Sequence, residues 1–137
     1  MMQFAKQVLS DTDLSSSRAR EQLTKMVMRL FAEWQLTTAQ QLLLLGLRET
    51  SRNMLSRYRN LESIIPYDQD KLDRVGLLLA IYKNLYDLFP ENETVRVTWV
   101  KQKNSELNDQ CPLDIMLADG LFGMAYIMRF LDKQVVH

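Results

Sequence analysis

The chain has one cysteine, one histidine, three prolines and four glycines in 137 residues. Each scarcity excludes something. The lone cysteine, Cys111, forms no internal disulfide, which suits a reducing cytosol. The lone histidine, His137, lies at the tail, so a His-based metal site and a Ser-His-Asp triad are both excluded. No glycine-rich phosphate loop and no paired cysteines occur. The longest apolar runs, such as Leu77 to Tyr82, fall far short of the roughly 18 residues of a membrane-spanning helix. Met1 to Ser10 holds only Phe4, Ala5, Val8 and Leu9 around one lysine and makes a poor signal peptide. Acidic pairs such as Asp70 and Asp73 read as helix-surface residues. These absences point to a cytoplasmic protein that is not an enzyme and uses no metal and no cofactor.

Net charge is zero. Residues 1–68 carry nine Lys/Arg against seven Asp/Glu, and residues 69–137 carry eight against ten. Phosphate affinity scales with the cations set against the backbone, so a neutral chain binds nucleic acid only through a local patch. The length suits one compact domain, or two small helical lobes sharing one core.

Few prolines and glycines, with apolar residues at helical spacing, predict an all-α fold. A first helix is expected from about Ser17 to Trp34, with Leu23, Met26, Val27, Leu30, Phe31 and Trp34 on one face. Thr37 and Gln40 have the spacing of a capping box, and Gly46 ends the second helix that they open. A third helix is expected from about Arg48 to Tyr58. Pro66-Tyr67-Asp68 is the clearest internal boundary. Asp68 should cap a long helix that buries Leu72, Val75, Leu78, Leu79, Tyr82, Leu85 and Phe89 and stops at Pro90. Val95, Val97 and Trp99 alternate as in a strand, but a lone strand would have no partner. Pro112 suits the first position of a further helix, Asp119-Gly120 should break it, and a last helix is expected from about Leu121 to Asp132, carrying Phe122, Ala125, Ile127, Met128 and Leu131.

Residues 34–57 read as a helix-turn-helix, with Thr38 to Leu45 as the supporting helix and Gly46-Leu47 as the turn. The recognition helix would open on Arg48, Glu49, Thr50, Ser51 and Arg52. Arg48, Arg52, Arg57 and Arg59 against Glu49 make 48–59 the densest basic patch in the chain. Arginine grips phosphate, or guanine in bidentate fashion. The DNA-binding candidates are therefore Arg48, Thr50, Ser51, Arg52 and Arg57. Arg52 stands where a recognition helix usually carries an apolar residue, which leaves Met54 and Leu55 to anchor it.

The order and spacing of Arg74-Val75-Gly76-Leu77-Leu78-Leu79, Leu88-Phe89-Pro90, Trp99, Asn104, Pro112-Leu113-Asp114 and the aromatic-rich closing helix resemble the toxin-binding domain of Xre/MbcA/ParS-type antitoxins. The helix-turn-helix is the other half of that family. The resemblance is strongest from about Leu72 to Asp132 and places a helix at 94–100, which becomes the expectation there. It departs at Ser105 to Cys111, where Asn108-Asp109-Gln110-Cys111 replaces a Gly-rich loop. The resemblance implies an antitoxin that occludes a RES-type, NAD-consuming toxin, forms a homodimer, and represses its own operon by binding operator DNA. It divides the chain into a flexible N-terminus (1–16), a helix-turn-helix domain (17–66) and a toxin-binding domain (67–137). Its toxin-facing candidates are Tyr126, Arg129, Phe130, Asp132 and Lys133, with an arginine or lysine there serving as counter-charge at an NAD-phosphate site. Within the domain, Arg74 should pair with Asp114 or Asp70, Trp99 should fill the gap between the long helix and the Pro-Leu-Asp helix, and Asp114 should either cap its own helix or meet the toxin. Tyr82 and Tyr86, one turn apart, either line a partner groove or pack in the core. A stand-alone transcriptional regulator and a protein-interaction adaptor that does not bind DNA are the alternatives.

Overall fold

The computed structural model describes residues 13–135. Phe4 to Leu9, most of the segment expected to be flexible, and His137 lie outside the described residues. Six α-helices and three short 3-10 turns build the described part, with no strand. The fold is all-α, as the sequence predicts.

Helix α1 spans Ser17–Glu33. Ser16 caps it by accepting a hydrogen bond from the Ala19 amide at 3.1 Å. Leu23, Val27, Leu30, Phe31 and Trp34 are buried along its inner face, and Met26 packs at the edge. Helix α2 spans Thr38–Leu45 and opens on the full Thr37–Gln40 capping box. Gly46 ends it at φ +69, a conformation that a side chain resists.

The third helix differs from expectation at its start. A 3-10 turn occupies Glu49–Ser51, and α3 spans Arg52–Arg59. Neither Arg48 nor Ser51 supplies a side-chain cap. The free amides are met instead by tightening, with Ser51 N–H donating to the Arg48 carbonyl at 2.8 Å. Leu55 and Tyr58 are buried and Met54 is half-buried, so Leu55 and Met54 do anchor this helix.

Residues 60–67 return to α1 through two of its polar side chains. Thr24, fully buried, accepts the Ile65 amide at 2.9 Å, and Arg20 donates to the Ile65 carbonyl at 3.1 Å. Both polar groups of a buried peptide unit are thereby satisfied.

Helix α4, Gln69–Leu88, opens on Asp68, which accepts from the Lys71 amide at 3.0 Å. It is buried on more than one face: Leu72, Val75, Leu77, Leu78, Leu79 and Ile81 are all in the core. A helix that is apolar nearly all round is a central one, and α4 packs against α1, α2 and the closing helix. Tyr82 and Phe89, expected on its buried side, are only partly covered. Asp73 corrects the reading of it as a surface acid. It is buried, and burial pushes its carboxyl above the usual range.

Residues 93–98 form α5, Glu93–Thr98, followed by a 3-10 turn at Trp99–Lys101. Asn92 caps α5 through the Val95 amide at 3.2 Å. This supports helix over strand where alternation alone favours the strand. The closing helix α6 spans Pro112–Asp132 with Pro112 in its first turn. Gly120, at φ 59 and ψ −130, breaks it into two segments. Asp114 makes no cap. Cys111 holds that position without a side-chain capping bond, and Asp114 is exposed in the first turn, where its charge faces the positive helix end. One apolar core, from Leu14 to Leu131, runs on both sides of residue 66.

The break at Gly120 brings the two segments of α6 into contact at Gly123. A Cβ there would meet the Ile115 carbonyl oxygen inside van der Waals range and press on the Met116 Cα at 3.0 Å. Backbone cannot yield as a flexible side chain can. Gly123→Ala is expected to lower the unfolding free energy by about 1–3 kcal/mol, read from the urea midpoint. An unchanged midpoint would show that the corner relaxes freely.

Candidate partner-binding surfaces

Two exposed surfaces carry the candidate residues, and one half-buried cluster links them. The link is Arg74. Its Nε donates to Asp70 at 3.1 and 3.0 Å, and its Nη1 reaches the Leu43 and Leu44 carbonyls at 3.4 and 3.3 Å. Lys71 Nζ donates to the Gly46 carbonyl at 3.3 Å and to Asp70 at 3.0 Å. Two cations of α4 thus cover the negative end of α2. The Arg74 guanidinium lies so close to Gly46 that a Cβ there would meet Nε at 2.7 Å. Of the two partners expected for Arg74, the structure supplies Asp70. Burial raises the Asp70 carboxyl, but the hydrogen bonds and charges of Lys71 and Arg74 outweigh it and hold the pKa below its usual value.

This cluster fixes the turn that precedes the first surface. Arg48, Thr50 and Arg52 are exposed there and Ser51 is half-buried. Arg52 and Arg59, seven residues apart, share one side of α3. Arg57 lies about 140° round the helix from Arg52. The five sequence candidates therefore do not form one row. Arg48, Arg52, Arg57 and Arg59 make no side-chain hydrogen bond or ion pair among the described residues. Arg59 instead joins Lys25 and Arg29 of α1 around a groove of about 300 Å3 floored by Met28, Ala32 and Tyr58. That basic groove is absent from the linear reading, because Lys25 and Arg29 sit some thirty residues before Arg59.

The second surface lies on the final segment of α6. Phe122 is 87% exposed and Tyr126 is 52% exposed, and Arg129 and Lys133 follow, also exposed. Spacings of four, three and four put all four on one stripe. Phe130 and Asp132 lie about a quarter-turn to either side of it. Phe130 turns inward, half-buried, and stacks on Trp99 with ring centroids 6.2 Å apart. Trp99 thus meets the closing segment of α6 through this ring. Phe122 is the residue that sequence reasoning missed. The expected last helix carries it beside Ala125, Ile127, Met128 and Leu131 and not among the toxin-facing candidates, although its place four residues before Tyr126 is the available signal.

Tyr82 and Tyr86 separate in role. Tyr82 donates to Glu33 Oε2 at 2.7 Å, and burial, then the hydrogen bond to the Glu33 carboxylate, pushes its pKa up to about 12. Tyr86 is half exposed, with the Arg96 guanidinium 4.4 Å from its ring centre. No helix among the described residues is long and apolar enough to cross a membrane.

Arg74→Met keeps the aliphatic stem and removes the charge. It should cost about 1–3 kcal/mol for hydrogen bonds to charged and carbonyl partners. The sign with pH follows from Asp70. Its folded pKa lies below the unfolded one, so its contribution is present above the unfolded carboxylate value and lost as pH falls through the folded one. Denaturant curves of parent and variant should differ most near neutrality and draw closer in acid, where only the contacts to the Leu43 and Leu44 carbonyls remain; a constant gap would contradict this role for the pair.

A search of curated proteins returns no match. A search of family models returns one over the carboxy-terminal part, beginning after the Arg74 to Lys83 segment and taking in the end of α4, α5 and all of α6. Residues 84–134 match the antitoxin Xre/MbcA/ParS C-terminal toxin-binding domain, and the antitoxin role that this match supports rests on the segment that displays the Phe122–Lys133 stripe.

Proposed function

We propose that the protein is the antitoxin of a type II toxin–antitoxin system. In this reading residues 67–137 bind and occlude a RES-type, NAD-consuming toxin in the cytoplasm. Residues 17–66 form a helix-turn-helix domain that represses the antitoxin's own operon. The observation that carries the reading is the coincidence of the matched segment with an uncovered aromatic and cationic stripe. An exposed aromatic pair beside cations is the composition of an interface core and rim. The chemistry needed is burial of area over another protein's cleft. No bond is made or broken and no cofactor is called for. Phe122 and Tyr126 form the apolar centre. Arg129 and Lys133 meet the partner's anionic or phosphate-binding site, Asp132 sits at the rim, and Phe130 holds the helix on Trp99.

DNA binding follows from the free cations around α3. Arg48 and Arg52, with Thr50 and Ser51 at the start of the segment, are the operator contacts in this reading, and Arg57, about 140° round α3 from Arg52, lies off that face. A homodimer presents two such segments about a two-fold axis, which sets the half-site spacing. The two cations of α4 that close Gly46 hold the turn in place for this contact.

The toxin arm is tested by titrating the RES-type toxin that this reading assigns as partner. Phe122→Ala with Tyr126→Ala should cost about 2 kcal/mol or more per residue if they are central contacts, with circular dichroism unchanged. Affinity equal to the parent's would remove the stripe from the interface. The DNA arm is tested by anisotropy on the upstream operator. Arg48→Ala with Arg52→Ala should weaken binding at least tenfold, since each good arginine contact contributes about 1–3 kcal/mol. An unchanged titration would refute this choice of residues.

A further inference from the structure

A second feature of the matched segment lies beside the stripe. A groove of about 340 Å3 opens between the 3-10 turn at Ser105–Leu107 with its following residues and the two segments of α6. Leu107, Ile115 and Ala118 supply apolar wall, Asp114 and Asp119 supply two carboxylates, and Tyr126 closes it from across the Gly120 break. No cation lines it. Neither carboxylate makes an ion pair or side-chain hydrogen bond among the described residues. Its volume is at the low end of the roughly 300–1,000 Å3 typical of ligand pockets, and it is open on one side, so it suits one protruding side chain better than an enclosed small molecule.

We propose that this groove receives an arginine side chain projecting from the protein partner. The inference rests on the reading of 84–134 as a toxin-binding domain and names the chemistry of the partner there. Charge complementarity selects the occupant: two unpaired carboxylates, apolar wall for an aliphatic stem, and an aromatic face. The guanidinium offers five donors in a flat fork, which serves two carboxylates and stacks on a ring together. A lysine ammonium offers no flat face to Tyr126. Tyr126 then belongs both to the stripe and to the groove, so the partner's arginine and its apolar contact surface engage one continuous patch. The stripe's cations lie toward the end of α6 and the groove's carboxylates before the Gly120 break. The surface therefore carries opposite charge at its two ends, which sets the direction in which a partner lies across it.

The test uses the full chain and a defined probe. N-acetyl-arginine amide is titrated into labelled protein and followed by amide NMR shifts. Saturable shifts at Asp114, Ile115, Ala118, Asp119 and Tyr126 are expected. N-acetyl-citrulline amide, the neutral analogue, should bind at least tenfold more weakly, as should the arginine probe to Asp114→Asn/Asp119→Asn, a variant whose exposed positions leave folding intact. N-acetyl-lysine amide should bind more weakly than arginine. Absent shifts, equal binding of the citrulline or lysine probe, or full binding to the double variant would each overturn the assignment. Because the probe is not the toxin, failure here leaves the titration of Phe122 and Tyr126 variants to judge the antitoxin reading separately.

Discussion

Four backbone carbonyls at the end of an α-helix have no partner within it, and at α2 the remedy comes from another helix. Arg74 and Lys71, one turn apart on α4, reach the carbonyls of Leu43, Leu44 and Gly46 while Asp70 holds both cations. Gly46 is required twice over, for its positive φ and for the room that the Arg74 guanidinium occupies. The direction in which the chain leaves α2, and hence where α3 lies, depends on this contact. Gly120 also lies near, with Arg74 Nη2 4.0 Å from where its Cβ would be. One arginine therefore stands between the turn before the basic surface and the break in α6 before the Phe122–Lys133 stripe.

The two surfaces share one core. Helix α4 is buried on several sides and packs on α1, α2 and α6, so nothing in the packing separates an amino-terminal lobe from a carboxy-terminal one. Close-packed interiors transmit displacement. A partner that shifts α6 acts on the same central helix that holds the end of α2. Both surfaces therefore rest on one central helix.

Much of this fold was legible in the residues. The Thr37–Gln40 box, Gly46, Asp68 and Gly120 each act through local backbone chemistry, and each stands where its residue type predicts. The start of α3 was not legible, because neither Arg48 nor Ser51 supplies a cap and the chain tightens into a 3-10 turn there instead. Alternation at Val95, Val97 and Trp99 favours a strand, and only the missing partner together with the family resemblance points to helix, since pairing is not a local property. The surfaces were less legible still. Phe122 looks like core by type and is 87% exposed by position, while Phe130 looks like contact and stacks inward on Trp99. Apolar residues on a short helix with a break do not reveal which side the core takes. Arg59 meets Lys25 and Arg29 only through the packing of α3 on α1.

The central claim is that the final segment of α6 is the part of the protein that a toxin covers. Hydrogen exchange of the full chain, alone and saturated with the RES-type toxin proposed as its partner, tests this most directly. The account predicts slowed exchange concentrated in residues 121–133, with the amides of 49–59 unchanged in the absence of DNA. Protection confined to 49–59, or none in either segment, would contradict it.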